Sequence, residues 1–192
     1  PIDTKIAKAM MVCKVHSLCK GYSGIRLKVI ERIIYFIENN LIPSVPEQGS
    51  VGASGDLAPL SHLFLTLIGE GEFRIKNKIV SAEKVLKKHD LLPIELRAKE
   101  GLALINGTQF ILAHAVIGLN KMKYLLDLSD VSGAMSVEGF QGSTAPYKKV
   151  LHTIRPFEGT IKVAQRMREL LHGSQNVLSH QGCGRVQDPY SI

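Results

Sequence analysis

A chain of 192 residues with 45% hydrophobic but only 6% aromatic content is long enough to bury one core built on Leu, Ile and Ala, and reads as a single domain over 1–192. Its 24 basic and 17 acidic residues leave a net charge of +7, yet Lys and Arg are spread through every segment without interleaved aromatics, which argues against a nucleic-acid partner. No unbroken apolar run reaches the roughly 18 residues of a membrane span and no signal-peptide pattern opens the chain, so a soluble, cytoplasmic protein is expected, with no membrane partner.

Asp3 is placed to cap a first helix, with Ile6, Met10, Cys13 and Leu18 at about helical spacing and Gly21 as its stop. Ser23 is read as the cap of a second, whose apolar stripe is Leu27, Ile30, Ile33, Ile34, Ile37 and Leu41. Pro43 and Pro46 end it. Residues 49–62 then read Gly-Ser-Val-Gly-Ala-Ser-Gly-Asp-Leu-Ala-Pro-Leu-Ser-His. Three glycines allow positive φ and close approach, Asp56 stands where a helix begins, and Leu57 opens that helix, which runs to Leu67 with Pro59 tolerated in its first turn. The glycine spacing fits neither Gly-x-x-x-x-Gly-Lys-Ser/Thr nor Gly-x-Gly-x-x-Gly, so a nucleotide site is not indicated. The amides at such a helix start suit an anion or a developing negative charge. From these residues alone a plain glycine-rich turn with an Asp cap is the favoured reading.

Further on, Phe73 and Ile75, then Lys76-Asn77, then Ile79 and Val80 read as a short peripheral hairpin. A helix from Ser81 through Lys88 follows. Pro93 breaks the pattern, and a turn or two of helix is expected over 95–100. Residues 101–109, Gly-Leu-Ala-Leu-Ile-Asn-Gly-Thr-Gln, are an apolar run stopped by Asn106-Gly107, with a new helix capped near Thr108. The segment 110–128 is apolar on nearly all sides, and 111–119 is assigned to a bundle core, with His114 as a hydrogen-bonded core residue. Helix continues over 131–140 and again over 150–154. Thr160 is read as the cap of a last helix to Leu171, closed by Gly173. The tail holds Val-Gln-Asp-Pro-Tyr-Ser at 186–191. Cys13, Cys19 and Cys183 are odd in number and show no Cys-x-x-Cys spacing, so neither a disulfide framework nor a metal site is expected. The fold class is therefore all-α, a bundle of long helices with one small hairpin.

The run Gly-Ser-Val-Gly-Ala-Ser-Gly-Asp-Leu-Ala-Pro-Leu at 49–60 closely resembles the signature of the aromatic amino acid ammonia-lyase family, most closely its histidine-specific members. Two further segments are similar to family motifs in the same order: Leu-Ile-Asn-Gly-Thr around Asn106, and Val-Gln-Asp-Pro-Tyr-Ser with Gln187 and Tyr190. The resemblance implies the helical fold of the lyase/fumarase-like superfamily. It implies that Ala53, Ser54 and Gly55 cyclise into a 4-methylidene-imidazol-5-one electrophile, with no external cofactor and with Asp56 and Leu57 supporting it. It assigns Asn106 and Gln187 to the substrate and Tyr190 to the catalytic set. The implied reaction is elimination of ammonia from a small L-amino acid, histidine to urocanate, in a homotetramer. A tyrosine or phenylalanine lyase, an aminomutase and an inactive helical fragment are the alternatives. The chain starts at Pro1 and stops short of the family's carboxylate-binding arginine, and it lacks the segment with the tyrosine base. It is thus expected to be the central part of a longer protein, without the family's N-terminal and C-terminal parts.

Overall fold

The computed structural model describes residues 1–182 and Gly184; Cys183, Gln187 and Tyr190 lie outside the described residues. Nine helices and three strands are assigned among them, and the chain divides into two compact units, 1–119 and 120–192.

In the first unit, α1 spans Thr4–Leu18, and the Asp3 carboxylate accepts from the Lys5 amide at 2.8 Å, as its position before the apolar run predicts. The buried stripe of α1 is Ala7, Met10, Met11, Lys14 and Leu18. It is rotated by one residue from the expected one, because Ile6 and Cys13 are only half-buried and a lysine holds a core position. Helix α2 spans Leu27–Glu38, packs on α1 and buries Val29, Ile30, Ile33 and Phe36. It begins four residues after Ser23. Gly24 is left-handed at φ +66°, and the chain enters the helix only after Arg26, whose amide and guanidinium are held by the Glu100 carboxylate.

The expected hairpin forms from β2, Glu72–Ile75, and β3, Lys78–Ser81, paired antiparallel with Phe73 opposite Val80. Lys76 and Asn77 at φ +47° and +64° give the two left-handed residues of a tight hairpin turn. A third strand, β1 at Ile42–Pro43, adds to the β2 edge to give the order β1-β2-β3. One face of the hairpin is not peripheral: the Phe73 side chain is fully buried and meets Phe36 edge-on, with ring centroids 5.1 Å apart.

Between the strands, α3 spans Leu57–Phe64 and tightens into a last turn at Leu65–Ile68 that Gly69 ends in the left-handed conformation. After β3, Ala82–Lys88 forms α4. Residues 95–99 are not helical. Lys99 turns left-handed at φ +71°, and α5 starts one residue later, at Glu100–Ile105. Glu100 is the reason. Its carboxylate receives the Arg97 amide at 2.7 Å and the Arg26 amide, Nε and Nη2 at 3.0, 2.7 and 2.7 Å, tying the starts of α2 and α5 together.

Hydrogen bonding from Arg26, only partly offset by burial, holds the Glu100 carboxyl down at about 2. A carboxyl near 4.3 in the unfolded chain (roughly, by model peptides) binds protons before the folded one does. This contact therefore contributes fully above that value and is lost as pH falls from there towards 2. Denaturant titrations at pH 6 and pH 3 are expected to show a large fall in stability for the parent and a smaller one for Glu100→Gln; equal falls would refute the assignment.

The second unit contains the end of α6, Gln109–Gly139, together with α7, Lys149–Ile154, α8, Glu158–Leu170, and α9, Gln175–Ser179. Its small core is Ala134, Val137, Met167 and Leu171. Thr160 lies inside α8 rather than capping it, with its hydroxyl donating to the Phe157 carbonyl. Ser174 caps α9 by accepting from the Val177 amide.

The helix expected over 110–128 and continuing over 131–140 is one unbroken helix of 31 residues. Its burial differs from expectation. Ala113 is buried, but Ile111, Leu112, Val116, Leu119, Met122 and Leu126 are exposed in this chain. His114 is hydrogen-bonded to the Phe110 carbonyl at 2.9 Å yet also exposed. The stretch 100–139, covering α5 and α6, is long and apolar enough to cross a membrane by length and composition, although no unbroken apolar run in it reaches that length. The same length and composition occur in the core helix of a soluble protein.

Candidate active site

The loop from β1 to α3 turns on its glycines. Gly52 and Gly55 sit at φ +66° and +98°, where a side chain is strained. Ala53 and Ser54 between them are exposed, Gly55 is half-buried, and Asp56 has no exposed surface at all. The tripeptide thus stands out on a bend whose last residue is anchored in the core.

Gly55 is fixed by a second constraint. A Cβ on it would lie 2.5 Å from the carbonyl oxygen of Gly107, so the Asn-Gly turn that follows α5 packs directly on the glycine. The Asp56 amide donates to that same Gly107 oxygen at 2.7 Å. Gly107, at φ +156°, is in turn covered by the carboxamide of Gln109, whose Oε1 occupies the place of a Cβ. Gly55, Gly107 and Gln109 therefore stack, with Gly55 held by backbone that cannot give way and Gly107 covered by a side-chain end that can. Two motifs some fifty residues apart in sequence meet here by shape.

Asp56 does not cap the helix it precedes. Its φ and ψ are −94° and 51°, and its carboxylate makes no bond to the first turn of α3. Instead Oδ2 accepts from the amides of Phe110 and Ile111 at 3.0 and 3.1 Å, and Oδ1 from the Ser50 hydroxyl at 2.9 Å. The carboxylate thus serves as the cap of α6 from outside that helix. This displaces Thr108 from the expected role and satisfies donors that would otherwise be orphaned. Leu57, the first residue of α3, is 38% exposed beside the tripeptide, and the N-terminus of α3 keeps no side-chain cap from Asp56.

Asn106 ends α5 in an extended conformation, with ψ 117°. Its carboxamide is exposed and makes no hydrogen bond among the described residues, while its main-chain carbonyl accepts from Lys14 Nζ at 2.7 Å. Lys14 is 2% exposed, and burial pulls its ammonium down to about 8. The structure thus brings Ala53, Ser54, Gly55, Asp56 and Asn106 into one neighbourhood of the first unit. Sequence reasoning missed Lys14, Ser50 and Gln109 there. Only Lys14 left a signal, as a lysine at i+3 and i+4 from Met11 and Met10 on the apolar face of α1.

The small residues at 53 and 55, the exposed serine between them and the left-handed bend at Gly55 fit a tripeptide that closes on itself. Nothing bulky stands between the Gly55 amide and the Ala53 carbonyl in sequence, and Gly55 already adopts a conformation strained for other residues.

The aromatic amino acid lyase family is matched over residues 1–192. The histidine ammonia-lyase of Salmonella paratyphi B is 46% identical over 193 residues, covering 100% of this chain and 38% of that protein. The crystal structure of histidine ammonia-lyase from Trypanosoma cruzi superposes with a TM-score of 0.84 at 42% identity, covering 90% of this chain and 34% of that one. A tyrosine aminomutase from Streptomyces globisporus gives 0.83 at 33% identity, covering 97% of this chain and 37% of that one. The chain therefore spans little more than a third of the length of its relatives. With its glycine bend and its Asn-Gly turn joined in one interlocked site, and with the match running from end to end, this chain belongs to the aromatic amino acid lyase family.

Proposed function

We propose that the full-length protein containing this chain is a carbon-nitrogen lyase that eliminates ammonia from L-histidine to give urocanate. The observation that supports this best is the interlock of Gly55 with Gly107, which puts the exposed Ala53-Ser54 bend next to Asn106. Attack of the Gly55 amide nitrogen on the Ala53 carbonyl carbon would form the ring with loss of one water. Loss of the Ser54 hydroxyl together with its Cα proton would release a second water and leave the exocyclic alkene. Once formed, that 4-methylidene-imidazol-5-one supplies an electrophile that makes a substrate amine expellable.

The chain's own residues supply the surroundings. The exposed Asn106 carboxamide can donate to a carboxylate and accept from an amine at once, which no charged side chain does. The uncapped start of α3 at Leu57 directs partial positive charge at negative charge arriving on the tripeptide. Asp56 holds the bend against α6, and Gln187 and Tyr190 are assigned to substrate contact and the catalytic set. The proton-abstracting base would come from outside this chain.

We further propose that 1–192 forms part of one larger helical domain, and that the protein is a cytoplasmic homotetramer in which the exposed apolar residues of α6 become core. The similarity to a tyrosine aminomutase keeps a different amino acid side chain as the second reading.

Two measurements on the full-length protein test the proposal. Its intact mass is expected to fall short of the sequence mass by two waters, and an unshifted mass would exclude the ring. Incubation with histidine, tyrosine and phenylalanine, followed by ultraviolet absorbance, is expected to show a conjugated acid from histidine. A product from tyrosine or phenylalanine instead moves the assignment to the second reading, and silence with all three refutes lyase activity.

A further inference from the structure

Lys14 is a basic side chain sealed into the core of a unit whose other buried side chains are mostly apolar. Burying an ammonium is costly unless it gains strong partners. No carboxylate pairs with Lys14 among the described residues, and its hydrogen bond goes to one main-chain oxygen 92 positions away. A methionine or leucine would fill the same stripe of α1 beside Met10, Met11 and Leu18 without that cost. The lysine is therefore accounted for by what its ammonium holds.

What it holds is the hinge of the site. The Asn106 carbonyl is at the C-terminal end of α5, where main-chain oxygens lack intrahelical donors and the helix dipole favours a cation. Fixing that carbonyl fixes the plane of the Asn106–Gly107 peptide. That plane carries the Cα atoms of Asn106 and Gly107, so it places the Asn106 side chain one backbone rotation away and the Gly107 carbonyl two rotations away. The Gly107 oxygen is aimed at the Asp56 amide and wedged against Gly55, and the Asn106 side chain is exposed and makes no hydrogen bond among the described residues.

We infer that Lys14 is a positioning residue for the active site: by clamping the Asn106 carbonyl it sets both the Asn106 carboxamide and the Gly107 wedge under the tripeptide. It touches neither substrate nor tripeptide, acting through the main chain of Asn106 and Gly107. The inference rests on the lyase reading for its catalytic consequence, though not for the clamp itself.

The test uses the full-length protein and the Lys14→Met variant, which keeps length and apolarity in the stem and removes the donor. Hydrogen exchange followed by mass spectrometry is expected to accelerate at least about tenfold in the segments 49–58 and 102–111, while the rest of α1 and α2 exchanges as in the parent. The variant is expected to keep its oligomeric state and to lose at least about tenfold in kcat/KM, with Lys14→Arg, which restores a cationic donor, recovering most of the loss. Unchanged exchange in both segments, or parental kcat/KM in Lys14→Met, would overturn the inference. So would a loss of activity that only tracks the folded fraction, with no difference between the methionine and arginine variants. Should Lys14→Met not fold, Lys14→Gln, with a neutral and shorter donor, is judged by the same thresholds. The exchange measurement requires no turnover. An inactive parent therefore refutes the lyase reading while the clamp is still decided by exchange.

Discussion

Ser54→Ala is expected to abolish ammonia release from the full-length protein, by at least about a thousandfold in kcat/KM, while leaving its thermal unfolding unchanged. The two halves of this expectation have different origins. Ser54 is exposed on the bend and its hydroxyl makes no hydrogen bond among the described residues, so removing one oxygen costs the fold less than about 0.5 kcal/mol. Its chemical role is not replaceable. The alkene carbon is the serine β-carbon, and alanine has no hydroxyl to expel, so dehydration stops after ring closure at the latest. The variant's intact mass should therefore lie at most one water below its sequence mass, where the parent lies two below. Turnover retained in a variant of that mass would mean that the reaction does not run through a methylidene group made from Ser54.

Local features of the site were legible in the sequence, and those that depend on distant partners were not. The hairpin at 72–81 needed only an alternating pattern and a two-residue turn, both contained in ten residues. The glycines of the bend were legible as freedom of φ, but the reason Gly55 can be nothing else is the oxygen of Gly107, which no spacing rule connects to it. Asp56 looks the same in sequence whether it caps the helix that follows or another one, because an acidic residue before an apolar run is the signal in both cases. Lys14 was hidden by the rule that basic residues mark the solvent face, which its carbonyl partner overrides. α6 shows the limit from the other side. Its apolar residues face all round, so periodicity could indicate burial but not the surface that provides it. In a chain spanning about a third of its relatives' length most of them remain exposed.

Asp56→Ala is expected to be the most damaging single change in the site for stability, about 2–4 kcal/mol, with cyclisation failing alongside it. The carboxylate is buried and takes three donors: the Phe110 and Ile111 amides and the Ser50 hydroxyl. Alanine leaves all three without an acceptor and uncaps α6, the longest helix of the chain. Thr108→Ala is the matching control. Its side chain makes no hydrogen bond among the described residues, so a loss below about 0.5 kcal/mol is expected even though its sequence position is that of the conventional cap. Asp56→Asn separates charge from shape, since an amide keeps one acceptor oxygen but turns an NH2 group towards donors that need an acceptor. An intermediate loss is expected, with the melting temperature between those of parent and alanine variant. The bend should respond with the helix. The Asp56 carboxylate ties the loop to α6 and to Ser50, and the Asp56 amide ties it to Gly107; removing the carboxylate loosens the loop and frees the Gly55 amide to leave the approach that ring closure requires. Intact mass of the purified variant measures this directly, as the fraction of molecules short by two waters. A fully cyclised Asp56→Ala protein with parental stability would show that the cap across 54 residues has no part in shaping the site.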